Sequence, residues 1–584
     1  MYCSRVHHPC SGLRPPPVAG KARSSALLLS LAALACACAS RQRADAFEAD
    51  LLLRGGPIFL ADSAGTTHRA LAVRLARVVA LDADAEALVG PRTRVVDLRG
   101  RLATPGMNDA HCHLGAGGLG LLEVDLRGST SLAEIERRVA EGAKSAAPGE
   151  WITGRGWDQT RLPSRELGPG GWPTKETLDR AGGDHPVYLR RVDGHTGWAS
   201  SRALQIAGVD ARTQDPSGGR IVRDARGEPT GILEERATEL VAAKVPPPSP
   251  DKRRRGILAA LRLAARTGVT SVQTDAPAED FAVYTDLRRE ERLTLRVYGW
   301  VELTEEEIGR FKGLGEEAPF GDYWLRRGLL KAYADGTLGS RTAWMLEPYA
   351  DDSRTRGIRR IPVPELEALV LAADRAGLQV AVHAIGDAAN RKVLDAFEKA
   401  ARATDRRGAR HRIEHAQVLA PSDIARFAEL GVVASMQPTH ATSDLRWAED
   451  RIGPKRAAAG AYAWRKLLEA GARIAFGTDF AVEPLAPIEG LYSAVTRQSR
   501  EAPFGPAGGW IPSEKLTLAD AIRLYTTGSA YAEFQENDKG TLEVGKLADL
   551  VVWDRDLFKT PEAKLLDAKP VLTVVGGRVV FEAQ

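Results

Sequence analysis

The sequence predicts an α/β protein built around a (β/α)8 barrel, with a small β-sandwich formed by both termini and a lid-like insertion after the first barrel strand. Three observations predict this fold. Apolar runs of strand length alternate with helical patterns in the middle of the chain, polar residues follow those runs, and both ends carry short β-like runs. Alternating strands and helices indicate a parallel sheet, and about eight such units favour a closed barrel over an open sheet.

The barrel is predicted within residues 101–539. Its first strand is predicted in the stretch from Thr104 to His113, where small and apolar residues lead into two histidines separated by one residue. The later strand-like runs are Gly268–Thr274, Leu295–Val301, Leu329–Ala334, Leu378–Ala384, Arg412–Ala416, Val432–Met436 and Ile474–Phe476. Apolar residues at helical spacing precede several of these runs, which predicts a helix between successive strands.

The two ends of the chain predict a composite β-sandwich of residues 48–100 and 540–584. Both segments contain short apolar runs separated by turn residues, including a Gly576-Gly577 hairpin turn. Neither end has enough apolar residues for a core of its own, so we expect them to pair. Residues 120–250 are rich in Gly, Pro, Trp and Arg and interrupt the strand–helix rhythm. We interpret them as a lid inserted over the barrel mouth.

The N-terminal segment, residues 1–40, resembles an export signal. Lys21 and Arg23 precede an apolar run from Ala26 to Ala35, which is too short to span a bilayer as a helix. One interpretation is simple cleavage at an Ala35-x-Ala37 site. Another is a lipoprotein signal, in which either Cys36 or Cys38 becomes the lipidated first residue. The alternative is an uncleaved tail. We therefore expect a bacterial exported protein, either periplasmic or a membrane-anchored lipoprotein.

Charge narrows the choice of partners. The formal net charge is +4, and residues 1–37 carry four basic residues and no acidic one, so the rest of the chain is neutral. A neutral chain gives no reason to expect nucleic acid as a partner. We expect a small-molecule substrate, possible membrane attachment through an N-terminal lipid, and possible assembly as a homodimer.

Six polar residues stand at or just after the predicted barrel strands. They are His111, His113, Lys331, His383, His415 and Asp479. Because the carboxyl ends of barrel strands meet at one mouth, we expect these side chains to share one metal site. Each residue also has a simpler interpretation. The histidines are compatible with packed core positions, Asp479 with a helix cap, and Lys331 with a snorkelling surface lysine. Six such residues, all at or just after predicted strands, are not expected by chance.

Several longer motifs around these residues resemble one known family. The segments are Pro105–His113, Lys331–Ala343, His383–Asp387, Glu414–Gln417, Gly477–Asp479 and Gly545–Leu550. In these motifs the chain resembles the amidohydrolase superfamily, and within it amidohydrolase family 3, the YtcJ-like metal-dependent hydrolases. The resemblance covers nearly the whole chain after the N-terminal segment. It implies a (β/α)8 barrel with a β-sandwich built from both termini.

The resemblance also implies roles for the six residues. His111, His113 and Asp479 would hold one divalent metal ion, and His383 and His415 a second. Lys331 would carry a CO2-derived carbamate whose oxygens bridge the ions. Zinc suits such a site, and whether one or two ions bind stays open. Asp479 would also move the proton during hydrolysis of a C–N amide-type bond, as in an N-acyl or N-formyl amine, by metal-activated hydroxide.

Substrate-side roles are less constrained by the sequence. His195 and His440 are catalytic candidates that would contact substrate or stabilise an oxyanion, and a structural role is the alternative for each. Arg341 would bind a substrate carboxylate or pair with an acid in its own loop. The same metal site also suits an ester, lactone or deamination substrate. A further alternative is a non-catalytic envelope binding protein on the same scaffold.

Overall fold

The computed structural model describes residues 48–191, 196–216, 219–314, 318–406, 408–500 and 505–584. The predicted signal segment, residues 1–40, lies outside these ranges, and so does His195. Across the described ranges, no helix combines the length and the apolar character needed to cross a membrane.

Eight parallel strands form the predicted barrel. They are β1 (Met107–Cys112), β2 (Val269–Asp275), β3 (Arg296–Glu302), β4 (Leu325–Tyr333), β5 (Gln379–Ala384), β6 (Arg412–His415), β7 (Val433–Met436) and β8 (Arg473–Phe476). Each strand pairs in parallel with the next from β1 to β8. Every residue of β5 is buried, as expected where helices and core cover both faces of a parallel strand. The predicted (β/α)8 barrel is therefore confirmed.

The seam between β1 and β8 is held by the loop that follows β8. The backbone N–H of Asp479 donates to the carbonyl of His111 at 2.8 Å. Thr478 N donates to Asp109 Oδ1 at 2.9 Å. Gly477 is required for this close approach, because a Cβ at Gly477 would lie 2.6 Å from His111 N. The seam therefore fixes the first and last metal-ligand candidates against each other.

Helices connect and flank the strands. They are α1 (Leu114–Gly120), α2 (Pro250–Thr267), α3 (Ala278–Arg289), α4 (Glu305–Lys312), α5 (Val363–Arg375), α6 (Asp387–Thr404), α7 (Pro421–Leu430), α8 (Pro438–Ser443), α9 (Ala448–Ile452), α10 (Pro454–Gly460), α11 (Trp464–Glu469), α12 (Pro487–Thr496), α13 (Leu518–Arg523) and α14 (Ser529–Ala532). Helix α2 shows why the sequence folds this way. Ser249 caps its N-terminus, proline occupies the first turn, and Gly268 ends it in a left-handed conformation. Its buried face includes Ile257, Leu261 and Ala264, as the apolar spacing predicts.

Both ends of the chain contribute to one eight-stranded sheet. Its strands are Leu51–Phe59, Thr67–Arg74, Arg77–Leu81, Arg94–Asp97, Ala103–Pro105, Leu550–Trp553, Pro570–Val575 and Arg578–Glu582. The two ends meet where Ala103–Pro105 pairs antiparallel with Leu550–Trp553. The short helix Asp82–Glu86 packs beside this sheet. Whether the strands form a two-layer sandwich stays a prediction.

A buried ion pair joins this sheet to the barrel. Arg296 Nε at the start of β3 lies 2.6 Å from Asp549 Oδ2, and Arg296 Nη2 lies 2.9 Å from Asp549 Oδ1. Gly576 N also donates to Asp549 Oδ1 at 2.7 Å. Burial raises the pKa of Asp549, but the Arg296 guanidinium outweighs it and holds the pKa below its usual range. The aspartate of the Gly545–Leu550 motif therefore has a structural role.

Residues 120–250 form a folded unit rather than a bare loop. Six strands make its sheet: Val124–Asp125, Ile152–Trp157, Val187–Arg191, Thr196–Ala199, Gly219–Arg223 and Pro229–Glu235. Its helices are Leu132–Ser145, Lys175–Gly182, Ser201–Ala207 and Thr238–Ala242. Trp157 packs edge-on against Trp198 and Trp172, with ring centroids 5.5 Å and 6.1 Å apart. These tryptophans belong to the core of the insertion.

Candidate metal centre

The carboxyl ends of the barrel strands bring the six candidate ligands together. All six line one cavity of about 320 Å³: His111, His113, Lys331, His383, His415 and Asp479. His111 and His113 face this cavity, whereas the intervening Cys112 is fully buried in the hydrophobic core. That alternation is the one expected of residues on and just beyond a β-strand.

Asp479 lies among three of these histidines. Its Oδ1 is 3.4 Å from His113 Nε2 and 3.7 Å from His111 Nε2. Its Oδ2 is 4.0 Å from His415 Nδ1. Ligand atoms about 2.1 Å from a tetrahedral zinc ion are about 3.4 Å from one another. Ligand atoms of His111, His415 and Asp479 all lie within 4.8 Å of one another, which is close enough for one metal ion to be held between them, and His113 approaches the same carboxylate.

Several buried polar atoms without hydrogen-bond partners also indicate a metal ion in this cavity. Within the described ranges, His111 Nε2, Lys331 Nζ and Asp479 Oδ1 are buried and have no hydrogen-bond partner. Buried polar atoms are normally paired, so three such atoms in one cavity need an explanation. A bound metal ion would satisfy the histidine nitrogen and the carboxylate oxygen, and carboxylation of Lys331 would give its side chain oxygens that can bind a metal. The donor set therefore fits the metal group that the motifs imply.

Lys331 projects into the cavity from β4 between two aromatic rings. Its side chain is 1% exposed, and its Nζ lies 5.0 Å from the centroid of Trp300 and 5.2 Å from that of Tyr333. Burial lowers the pKa of Lys331 to about 8. A lowered pKa increases the fraction of neutral amine at neutral pH, which is the form that reacts with CO2.

A buried carboxylate orients His111. Glu414 Oε2 lies 2.9 Å from His111 Nδ1, and Glu414 Oε1 lies 2.8 Å from Arg412 Nη2. Burial raises the pKa of Glu414, but Arg412 and His111 outweigh it and hold the pKa below its usual range. Burial lowers the pKa of His111 to about 4, so its imidazole is neutral. A histidine that binds a metal through one ring nitrogen commonly donates a hydrogen bond from the other nitrogen to a carboxylate.

Three other histidines also have partners that fix their rings. His113 Nδ1 lies 3.6 Å from Asp275 Oδ1 at the end of β2. His415 Nδ1 is 2.8 Å from Gln437 Oε1. His383 Nε2 is 2.9 Å from Gly336 O, which leaves its Nδ1 free for a ligand. These contacts set which nitrogen of each ring is available.

His440 reaches Asp479 from α8. Its Nε2 lies 3.0 Å from Asp479 Oδ2. Burial lowers the pKa of His440, but the Asp479 carboxylate outweighs it and raises the pKa to about 9. Asp479 and His415 both have positive φ angles, of 59° and 76°. Non-glycine residues in this conformation cluster at functional sites because the surrounding structure must hold them there.

Two predicted substrate contacts have different outcomes. Arg341 pairs with Asp351, with Nε 3.0 Å from Oδ1 and Nη2 2.8 Å from Oδ2, and does not line the cavity. Its alternative interpretation, pairing within its own loop, is the one the structure shows. His195 lies outside the described residues, so its role stays a prediction.

Sequence reasoning missed several groups around the site. Asp275 and Trp300 stand at or near the ends of β2 and β3, where the rule that found the six ligands also applies. Glu414 directly precedes His415 within the Glu414–Gln417 motif. Alternation along the strand indicates that Glu414 and His415 face opposite ways, but not that Glu414 lies beside His111.

Known protein families show the same class of protein as this geometry indicates. A model described as the amidohydrolase family matches residues 94–581. The chain therefore belongs to the amidohydrolase family, and the predicted family and hydrolase class are confirmed.

Individual relatives span nearly the whole chain. The Protein LONG AFTER FAR-RED 3 of Arabidopsis thaliana is 35% identical over 91% of this chain and 92% of its own length. The putative amidohydrolase YtcJ of Bacillus subtilis is 35% identical, covering 84% and 91%. The N-substituted formamide deformylase of Arthrobacter pascens is 26% identical, covering 91% and 98%. The crystal structure of an uncharacterized metal-dependent hydrolase from Pyrococcus furiosus superposes with a TM-score of 0.70 at 31% identity, covering 87% and 99%.

Proposed function

We propose that this protein is an exported metal-dependent hydrolase that cleaves a C–N amide-type bond in a small N-acyl or N-formyl amine. The observation that carries the proposal is the position of Asp479. Its two carboxylate oxygens face His113 on one side and His440 on the other, within the cavity that holds the candidate ligands. The likeness to an N-substituted formamide deformylase supports this choice of bond.

The proposed ligand set is the one that the family resemblance implies. His111, His113 and Asp479 would hold one ion, and His383 and His415 a second. Carboxylation of Lys331 would convert an amine into a carbamate with two oxygens, which can bridge two ions. Histidine nitrogens completed by oxygens suit zinc. A zinc ion bound there would lower the pKa of water from about 15.7 towards about 7 and polarise the substrate carbonyl.

Asp479 is the proton carrier in this proposal. Its carboxylate accepts a proton from the attacking water and donates it to the leaving nitrogen, so the products are a carboxylate and an amine. The contact with His440 and the backbone bond to His111 O hold the carboxylate in one orientation. General acid–base catalysis of this kind typically contributes about 10²–10⁴-fold. His195 and His440 are the proposed contacts for the substrate carbonyl.

Rival functions use the same groups. An ester, a lactone or a deamination substrate also needs activated water beside Asp479, and a binding protein needs none. The presence of all six candidate ligands, with Asp479 and Lys331 both buried, supports catalysis over binding alone. A lipoprotein with only a structural role in the cell envelope would not need Asp479 and Lys331 in a cavity.

Metal analysis of the zinc-loaded mature protein tests the proposal. We expect about two zinc ions per chain and release of formate from N-formyl amines. Lys331→Ala should lower the zinc content and remove the carbamate signal that ¹³CO2 gives by NMR. Lys392→Ala is the matched control, because Lys392 is a half-exposed lysine that pairs with Asp395 outside the cavity. A metal-free protein, or one that acts on esters and not on amides, would refute the proposal.

Export is part of the same proposal. The basic and apolar pattern of residues 1–40 supports it, and lipidation would occur at Cys36 or Cys38. Mass spectrometry of the mature N-terminus after expression in a bacterium tests this. An intact first residue in a cytoplasmic fraction would contradict export, and an acylated cysteine would support membrane anchoring. Size-exclusion chromatography with light scattering tests the expected homodimer.

A further inference from the structure

Asp444 is an acidic residue in the ligand cavity that neither the metal set nor the proton transfer uses. It lines the same cavity as His440 and Asp479. It follows α8 directly and keeps helical dihedral angles. Asp444 and His440 are four residues apart, so their side chains lie on one face of the helix, about 6 Å apart at Cβ.

The carboxylate of Asp444 is held in place on one side only. Tyr462 Oη donates to Asp444 Oδ2 at 2.5 Å, and Gln417 Nε2 donates to the same oxygen at 3.3 Å. Among the described residues, no group donates a hydrogen bond to Oδ1. Two donors on one oxygen fix the orientation of the carboxylate and leave the second oxygen available to a ligand.

Tyr462 is itself rigid, so this carboxylate is part of a built site. Tyr462 is 1% exposed, and its ring packs edge-on against Trp510 at 5.5 Å. Its backbone N–H donates to Gln417 O at 2.6 Å, and its carbonyl accepts a hydrogen bond from Arg497 Nη1 at 3.1 Å. A carboxylate supported in this way costs little further ordering when a ligand binds.

Apolar side chains also line part of the cavity that contains Asp444. Leu338, Ile385, Trp447 and Val482 share it with Asp444. Apolar walls suit an aliphatic spacer, and the Asp444 carboxylate suits a cation at its end. The carboxylate of Asp444 would repel an anionic group at this position.

We propose that the preferred substrates are N-acylated diamines, in which a protonated amine binds Asp444 Oδ1 while the acylated nitrogen lies at Asp479. This inference rests on the proposed function and names its substrate class. The leaving nitrogen takes its proton from Asp479, so the leaving amine lies on the side of Asp479 and His440, and α8 runs from there to Asp444. His440 contacts Asp479 and lies about one helical turn, roughly 6 Å at Cβ, from Asp444, so a spacer of about four to five carbons is of the right order of length.

Three substrates of matched length test the proposal on the zinc-loaded mature protein. They are mono-N-formyl-1,5-diaminopentane, N-formylhexylamine and N-formyl-5-aminopentanoate, which end in a cation, a methyl group and an anion. We expect kcat/KM to be at least tenfold higher for the cation than for the methyl compound, mainly through KM, and lowest for the anion. Asp444→Asn should reduce the ratio of cation to methyl compound to about one, because a charged hydrogen bond typically supplies about 10–100-fold.

Controls separate this subsite from the proposed function. Asp450→Asn is the matched acid-to-amide control, because Asp450 is exposed and lies outside the cavity; it should keep the wild-type ratio. Binding of 1,5-diaminopentane, measured by calorimetry in wild type and Asp444→Asn, needs no turnover. If Asp444→Asn fails to fold, the wild-type preference alone decides.

Each outcome has a distinct meaning. Equal kcat/KM for the cationic and methyl substrates would overturn the subsite and leave the amidohydrolase activity standing. Diamine binding that depends on Asp444, without hydrolysis of any substrate, would support the subsite and overturn the proposed function. Neither hydrolysis nor diamine binding would overturn both.

Discussion

Glu414→Gln tests how the barrel interior tunes the metal site. The substitution keeps the shape of the side chain and removes the negative charge behind His111. Glu414 Oε2 lies 2.9 Å from His111 Nδ1, and the exposed fractions of the two side chains are 1% and 2%. Water therefore does not screen the interaction, and the neutral amide is a weaker partner than the carboxylate.

The expected loss can be derived from this contact. Removing a carboxylate that orients a metal-binding histidine typically costs about 10–100-fold in metal affinity. That corresponds to about 1.4–2.7 kcal/mol. The glutamine also leaves the buried Arg412 guanidinium facing a neutral group, so we expect a lower free energy of unfolding as well.

Two measurements separate these effects. Competition with a chromophoric zinc chelator gives the dissociation constant, and urea denaturation of the metal-free protein gives the stability. Asp423→Asn is the matched control, because Asp423 is also buried and pairs with Arg391 and Arg426, but on the outer helix α7. It should lose stability and keep its zinc affinity. A folded Glu414→Gln variant with zinc affinity within threefold of wild type would refute the reasoning.

Three further predictions follow from contacts described above. Asp479→Asn should keep the circular dichroism spectrum and lower kcat by at least about 10²-fold, because the amide cannot carry the proton; wild-type turnover would contradict that role. Asp549→Asn should cost about 3–5 kcal/mol in urea denaturation, because it leaves Arg296 buried without its partner. Folding lowers the pKa of Asp549. Its contribution to the free energy of unfolding is therefore present above the unfolded pKa of about 3.9 and is lost as the pH falls through the folded pKa. A stability difference between wild type and Asp549→Asn that grows below about pH 4 would contradict this sign. Gly477→Ala should cost about 1–3 kcal/mol and lower zinc occupancy, because its Cβ would lie 2.6 Å from His111 N; calorimetric unfolding with wild-type midpoint would show that the seam tolerates a side chain.

The sequence was sufficient for the parts of the molecule that follow from periodicity. Alternation along β1 separates His111 and His113 from Cys112, and parallel strands place His383, His415 and Asp479 at one end of the barrel. These predictions depend only on which way a side chain points from its strand.

Contacts between distant segments were not accessible from the sequence. Nothing local shows that Glu414 lies behind His111, since the residues are far apart in the chain. Arg341 was equally compatible with a substrate and with Asp351, and only the loop geometry decides between them. The internal structure of the insertion was not predicted either: its short strands form a six-stranded sheet with its own core, while its position over the barrel mouth stays a prediction. Strands of this length give weak periodic signals among many Gly and Pro residues.

The pairing of Ala103–Pro105 with Leu550–Trp553 has a consequence for biosynthesis. Gly106 separates Ala103–Pro105 from β1, the strand that contains His111. A ribosome makes residues 550–553 only after all eight barrel strands, so the sheet beside β1 stays incomplete until those residues have been made. A stop codon before Leu550 would therefore remove the neighbour of a strand made more than 400 residues earlier. The segment that leads into β1 therefore gains this partner only after the whole barrel has been synthesised.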